Sequence, residues 1–362
     1  MAVTSNEFGM SPFGAYNMAG NAAEWTMNDS PEGFIATGGS WGDPLYTFAM
    51  FGGRPGVFSS NKLGFRLVRN TPGTGDQGTA RLEMESEIPV YSTSSAETFR
   101  TLAATYPFVP APIDARIEET LSTPDWTREK IAFNAADGER TIAYLYLPRH
   151  ATRPVQVLHY VPAADVDGGF RSLSASIEDR MAMFLKSGRA IFSVVLKGYV
   201  ERLQRSAPVD VTGVEFHDRI LNRITDLRCG LEYLASRQDV DQSRWAMIAP
   251  SAGAQLGLIF ASIETRYRGI VMVGAGVSAS LQQARPDANP LNFAPHIRAP
   301  KLIVQGRYDE DTPLRRLAEP LFNVLSQPKQ LHLYDGGHVP TSDILMKATQ
   351  GWLDGNLGPV RY

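Results

Sequence analysis

One cysteine, Cys229, stands among 362 residues, so no internal disulfide can form, and no Cys/His grouping has zinc-ligand spacing. No apolar run approaches the roughly 20 residues that a membrane-spanning helix requires, which excludes an integral membrane partner of that kind. The first twenty residues lack the basic start and apolar stretch of a signal peptide, and the expectation is a soluble, cytoplasmic protein. A basic excess is also missing. Lys and Arg total 35 against 38 Asp and Glu, a formal charge of -3, which speaks against a nucleic-acid partner. What is present is core-forming material: 43% hydrophobic and 20% charged residues fit a compact fold, and the length suggests two domains or one with an appendage.

The material is unevenly spread. Residues 1–75 hold 13 glycines and only 9 charged residues, and aromatics interleave with the glycines, as in Phe8-Gly9, Gly33-Phe34, Trp41-Gly42 and Gly64-Phe65. No helical period survives that many glycines, so short strands, turns and irregular loops are expected. The run Asn70-Thr-Pro-Gly-Thr-Gly-Asp76 reads as a linker. Three segments are expected: a small irregular, strand-poor N-terminal domain over 1–75, a linker and docking segment over 76–125, and a catalytic domain over 126–362.

Beyond residue 128 strands and helices alternate. The pattern predicts strands at Lys130–Asn134, Thr141–Leu147, Val155–Val161, Ala190–Leu196, Trp245–Ala249, Gly269–Gly274, Lys301–Gln305 and Gln330–Tyr334. Helices are predicted at Ser174–Lys186, Gly213–Ser236, Ala252–Ile263, Leu314–Leu325 and Ser342–Leu357. Continuous apolar runs such as Ala190–Leu196 suit strands covered on both faces. The Asp137-Gly138 turn makes the first pair a hairpin. An antiparallel start feeding a mostly parallel sheet of about eight strands, with helices on both faces, is the α/β-hydrolase pattern.

The sharpest local signal is the apolar strand running into Ala249-Pro-Ser251-Ala-Gly253, after which a helical pattern begins at once. This is a nucleophile elbow, G-x-S-x-G with Ala in the first position. Small residues are needed at 249 and 253 because the turn crowds backbone around the serine. Ser251 would be exposed at the carboxyl end of the sheet, with the Ala252 N–H facing a developing oxyanion. A later strand ends in Gly306-Arg-Tyr-Asp309-Glu310-Asp311. Asp309 is favoured as the acid because it lies closest to the strand end, with Glu310 and Asp311 as competitors. The last strand delivers Asp335-Gly-Gly-His338, a loop histidine able to serve as the general base that a weakly nucleophilic hydroxyl requires. The order Ser, Asp, His matches the hydrolases and neither common serine-protease order.

A second oxyanion donor is expected from Ala163 or Ala164, since Pro162 has no N–H; Pro162 itself would line the pocket. Tyr199 would line it too, or add a hydroxyl donor. The loops Glu201–Val211 and Ser278–Pro295 are expected at the pocket rim. Cys229, His159, His217 and His332 read as structural or exposed.

Residues from about 105 to 360 resemble the dienelactone-hydrolase and acetyl-xylan-esterase-like branch of the α/β-hydrolases, with Ser251, Asp309 and His338 on the triad positions. Ser251 in place of the cysteine of dienelactone hydrolases proper favours general carboxylesterase activity. Residues 6–69 resemble the C-terminal part of a formylglycine-generating (sulfatase-modifying factor) domain through Gly20-Asn21-Ala-Ala-Glu24-Trp25, Gly38-Gly-Ser-Trp41 and Gly64-Phe-Arg66. With only Cys229 in the chain, the redox cysteines of those enzymes are absent, and formylglycine generation is excluded. That resemblance implies a structural Ca²⁺ held by Asn21 and Glu24. The whole chain is similar to the C-terminal end of bacterial proteins joining a Ser/Thr kinase, such a domain and a hydrolase.

The expected function is thus a serine carboxylesterase acting on small esters through an acyl-enzyme, without a cofactor. Two rivals stand beside it: a peptidase or acylaminoacyl hydrolase using the same triad, and a regulatory binding module with a vestigial hydrolase. Trp25, Trp41 and Phe65 suggest an apolar face on the N-terminal fragment that packs on the hydrolase or forms a homodimer contact.

Overall fold

A computed structural model describes residues 11, 14–30, 33–41, 43, 48, 51–69, 79–81, 89–110, 112–135, 138–163, 172–203 and 209–362. The chain divides into two compact units, the first built on Met1–Ile88, with which Tyr308–Asp311 groups, and the second on most of the remainder.

In the first unit four short strands, β1 (Ala23–Ser30), β2 (Gly33–Thr37), β3 (Phe51–Arg54) and β4 (Leu63–Gly64), form a sheet in the order β3-β2-β1-β4. The pairs β1–β2 and β2–β3 are antiparallel, and β1–β4 is parallel. Of the described apolar side chains here, only Ile35 and Ala36 are buried, so polar ties hold much of the unit. Arg66 donates from Nε and Nη2 to the two Glu24 carboxylate oxygens, each at 2.5 Å, and from its Nη atoms to the carbonyls of Tyr16 and Asn17 at 3.0 and 2.7 Å. The Asp43 carboxylate accepts from the Ser40 N–H and hydroxyl and from the Lys62 ammonium. Trp41 and Phe65 are exposed, and Trp25 is half-buried.

The second unit contains α1 (Ala96–Ala103), β5 (Arg116–Ser122), β6 (Trp126–Asn134), β7 (Arg140–Pro148), β8 (Val155–Tyr160), α2 (Leu173–Lys186), β9 (Ala190–Val194), α3 (Val214–Ala235) and β10 (Val240–Pro250). It continues with α4 (Ala252–Ile263), β11 (Gly269–Val273), α5 (Ala279–Gln282), β12 (Lys301–Gly306), α6 (Glu319–Val324), β13 (Lys329–Tyr334) and α7 (Ser342–Leu357). Nine strands form one sheet in the order β13-β12-β11-β10-β8-β9-β7-β6-β5. The strands from β13 to β9 are parallel, whereas β9–β7, β7–β6 and β6–β5 pair antiparallel. This is the α/β-hydrolase architecture, with the antiparallel start at one edge.

Burial explains the strand sequences. Every residue of β8, β9, β11 and β12 is buried, as befits strands covered by helices on both faces. One core cluster packs side chains of α3 and α4, such as Ile224 and Phe260, against Phe192, Met247 and Ile270. On the other face, Phe184 of α2 and Leu353 of α7 pack with Ile191, Ala246 and Val271. The edge strand β5 is wholly exposed and carries Arg116, Glu118 and Glu119, charges that discourage edge-to-edge pairing.

The predicted strands and helices are all present except the single helix over Leu314–Leu325. There a wider π-type turn over Leu314–Ala318 leads into α6, whose second residue, Pro320, has no N–H for the preceding turn. From β8 the chain moves through α2 to β9 on one side, then returns through α3 to β10 on the other. The order therefore reverses between β8 and β10, and the carboxyl ends of these two strands frame the crevice where ligands of open α/β sheets bind.

Candidate active site

β10 ends at Pro250, α4 begins at Ala252, and Ser251 is the single residue between them. Its backbone is forced to φ 49° and ψ −119°, an unfavourable conformation for a side chain other than glycine. The turn is anchored by the Ser251 N–H, which donates to the Val273 carbonyl at 2.8 Å. Gly253 answers a close approach: a Cβ there would run into the carbonyl oxygens of Val161 and Pro162, the latter at 2.8 Å. The end of β8 thus lies against the first turn of α4, and Ala249 on the strand side is fully buried.

His338 meets this serine from the loop after β13, with Nε2 2.9 Å from Ser251 Oγ. Several contacts hold that loop, among them the ion pair of Arg307 with Asp335. The Tyr334 hydroxyl donates to the Gly337 carbonyl at 2.5 Å, and the Arg307 N–H donates to the Tyr334 carbonyl at 3.0 Å. The ring of His338 in turn rests on Gly274, the residue after β11. Gly274 has φ +58°, and a Cβ added there would stand 2.8 Å from Cε1 and 2.9 Å from Nδ1 of the imidazole. Gly306, at the end of β12, is similarly closed in by the carbonyls of Gly336 and Gly337. Neither glycine figures among the candidate site residues read from the sequence. Both terminate apolar strands, and glycine in that position signals a close backbone approach.

Asp309 stands three residues beyond β12, only 4% exposed, and its Oδ1 accepts the Asp311 N–H at 2.9 Å. Within the first unit, the competing carboxylate of Glu310 is paired with the Arg54 guanidinium. Burial pushes the Glu310 carboxyl above its ordinary value, against the pull of Arg54.

Ala252 opens α4, where first-turn N–H groups lack intrahelical acceptors. Pro162 is buried and Ala163 half-buried at the end of β8, while Ala164 lies outside the described residues. Tyr199 is buried beyond β9, beneath the guanidinium of Arg223, whose carbon lies 4.7 Å from the ring centroid. Of the expected rim, Glu201 serves the scaffold, its carboxylate accepting the Leu173 N–H at the start of α2 and the Tyr144 hydroxyl. Residues 204–208 lie outside the described residues. The segment 278–295, also expected at the rim, is built from α5 and short helical turns.

The other histidines singled out from the sequence are His159, His217 and His332. His159 is fully buried in β8, its Nδ1 2.6 Å from the Tyr267 hydroxyl, and burial aided by Arg266 pushes its pKa down to about 3. His217 Nε2 is 3.2 Å from Thr105 Oγ1, and His332 is exposed on β13. Cys229 is buried in α3. In the first unit Asn21 has φ +66° and its carbonyl accepts the Trp41 N–H, while Glu24 is engaged by Arg66. Among the described residues, no helix is long and apolar enough to cross a membrane.

Residues 2–71 match the family model of the sulfatase-modifying factor enzyme 1-like domain. No curated protein matches the chain significantly. Among solved structures, an acetyl xylan esterase from a Paenibacillus species is 18% identical, with a TM-score of 0.55 over 72% of this chain and 93% of its own. Acetyl xylan esterase 1 from a Thermoanaerobacterium species is 16% identical, with a TM-score of 0.54 over 71% and 92%. A glucuronoyl esterase from Solibacter usitatus is 12% identical, with a TM-score of 0.50 over 75% and 98%. At these identities the likeness establishes the α/β-hydrolase fold.

Proposed function

We propose that this chain is a serine carboxylesterase acting on small esters, with Ser251 as nucleophile, His338 as general base and Asp309 as the acid that orients the imidazole. The observation that carries this reading is the 2.9 Å approach of His338 Nε2 to the hydroxyl of a serine held in a strained strand-to-helix turn. In the reaction Ser251 Oγ attacks the ester carbonyl carbon as its proton passes to His338 Nε2. The carbonyl oxygen becomes an oxyanion opposite the Ala252 N–H, with Ala163 or Ala164 as the second donor. Collapse breaks the bond to the alcohol, which leaves with the proton from His338. Water then repeats the sequence on the acyl-enzyme, returning Ser251 and releasing the acid. Asp309 orients the ring and stabilises the imidazolium.

Short acyl groups are the proposed substrates, in line with fold neighbours that are by name acetyl xylan esterases. Assaying 4-nitrophenyl acetate hydrolysis by the wild type, Ser251→Ala and His338→Ala tests the reading. Turnover that vanishes in both variants supports it, and turnover that persists in Ser251→Ala overturns it.

A further inference from the structure

Arg223 is a half-buried guanidinium on α3 with an incomplete set of partners. Its Nε donates to the Lys197 carbonyl at 3.3 Å and its carbon lies over the Tyr199 ring, but no carboxylate pairs with it among the described residues. The nearest acid along the helix, Asp226, is committed elsewhere: its Oδ2 accepts from Arg202 at 2.6 Å and from the Lys197 N–H at 2.9 Å. Among the described residues both terminal nitrogens of Arg223 therefore lack a protein acceptor, although burying a charge is costly unless it is paired.

A second observation sharpens this imbalance. Arg219 lies one helical turn earlier on the same face of α3, and its like charge disfavours that of Arg223. A guanidinium held over an aromatic face keeps terminal N–H donors with which to meet a planar anion. Burial and the neighbouring Arg219 disfavour the charged form of Arg223, Tyr199 and Asp226 pull the other way, and a bound anion would add to that pull.

Position ties this cation to the active site. Lys197 and Tyr199 follow β9, residues 161–163 follow β8, and Ser251 follows β10, three successive strands of the sheet at the same edge. Adjacent strands lie about 4.8 Å apart, so the chain leaving β9, on which the Arg223 side chain rests, is offset laterally from the nucleophile strand by roughly 10 Å. A single substrate molecule can bridge that span.

We propose that Arg223 is the specificity-determining residue for a carboxylate-bearing ester, docking the anion while the ester carbonyl lies at Ser251. The proposal rests on the serine-esterase reading of Ser251 and extends its substrates from short neutral acyl groups to acyl groups that end in a carboxylate. Bidentate pairing of guanidinium with carboxylate gives both the affinity and the orientation, with the alkyl spacer crossing the end of β8.

The test compares 4-nitrophenyl monoesters of straight-chain dicarboxylic acids, from succinic to sebacic, with neutral 4-nitrophenyl alkanoates of matched length. The expected result is a ratio of kcat/KM, anionic over neutral, that rises with spacer length and falls tenfold or more in Arg223→Gln, mostly through KM. Arg223→Lys should recover part of it. An equal ratio in wild type and Arg223→Gln at every length overturns the proposal, even if both rates drop together, because a purely structural arginine would affect both esters alike. A binding arm uses Ser251→Ala protein and sebacate monoanion followed by calorimetry. Binding that disappears in the Ser251→Ala/Arg223→Gln double variant supports the anion site, and binding that survives refutes it. That arm needs no turnover, so an anion site without ester hydrolysis would show failure of the esterase reading and not of the site.

Discussion

The two units of this chain contain sheets of opposite character. The nine-stranded sheet is sandwiched between two apolar clusters, and its strands β8, β9, β11 and β12 are buried along their whole length. The four-stranded sheet has strands as short as two residues and buries little more than Ile35 and Ala36, and charged pairs such as Glu24–Arg66 stitch its segments together. Apolar burial contributes roughly 25 cal/mol per Å², whereas a partly exposed ion pair contributes at most about 1 kcal/mol. The large sheet is therefore the rigid body on which a strained serine turn can be maintained, and the small one has no comparable reserve. The difference teaches where exacting geometry can reside, and each prediction below probes one side of that contrast.

The largest effects should come from the reacting groups. Ser251→Ala and His338→Ala should each lower kcat on a short aryl ester by more than ~10³, and Asp309→Asn by up to ~10⁴ by leaving the imidazole in the wrong tautomer. Steady-state kinetics on proteins matched by circular dichroism measure this. A larger loss in Asp311→Asn or Glu310→Gln than in Asp309→Asn would reassign the acid.

Next come the close approaches that the sheet imposes. Gly274→Ala places a methyl group against the His338 ring, so the imidazole must shift by a few tenths of an ångström or more. Misplacing a catalytic base on that scale costs on the order of 10- to 100-fold, and should appear in kcat more than in KM. Kinetics that match the wild type would show that the ring does not need this seat.

A third test addresses the core. His159 is neutral when folded, with its pKa near 3 against an ordinary 6.5. Between those values the unfolded chain holds a proton that the folded chain does not. Stability from this group is therefore complete above pH 6.5 and is lost as pH falls toward 3, by about 2 kcal/mol between pH 7 and 5. Urea midpoints at the two pH values should differ less in His159→Phe than in the wild type. An unchanged difference would mean that His159 does not set the acid sensitivity.

How much of this is legible in the sequence follows the same divide. Strands β8 to β12 announce themselves because burial on both faces demands continuous apolar residues, and the elbow at Ser251 because its crowded turn restricts flanking residues to small ones. Strand β5 gives no such signal because Arg-Ile-Glu-Glu-Thr-Leu-Ser is an exposed edge, held by backbone pairing with β6 and lacking any apolar period. Helix α1 hides in a segment that reads as linker, since it is two turns long and buries none of its residues. The pairing of β1 with β4 joins residues some forty apart through two short stretches, a register that no local pattern encodes. Gly274 and Gly306 are visible as residues, yet what each accommodates comes from the loop after β13, which only the folded chain brings to them.

The smallest effect expected is also the one that would most directly break the contrast. Arg66 joins β1 to the carbonyls of Tyr16 and Asn17 through Glu24, and its side chain is more than a third exposed, which limits each ion pair by solvent screening. Arg66→Ala should lower the stability of the first unit by about 1 kcal/mol, read as faster proteolysis within residues 14–69. Ester hydrolysis by the same protein should stay within about twofold of wild type, as expected for a substitution at an exposed side chain. If hydrolysis instead falls tenfold or more while the second unit keeps its circular dichroism and melting temperature, the reserve that holds the serine turn is not confined to the large sheet. The small unit would then have to be counted as part of the catalytic support, and polar ties on a glycine-rich scaffold would be sufficient for it.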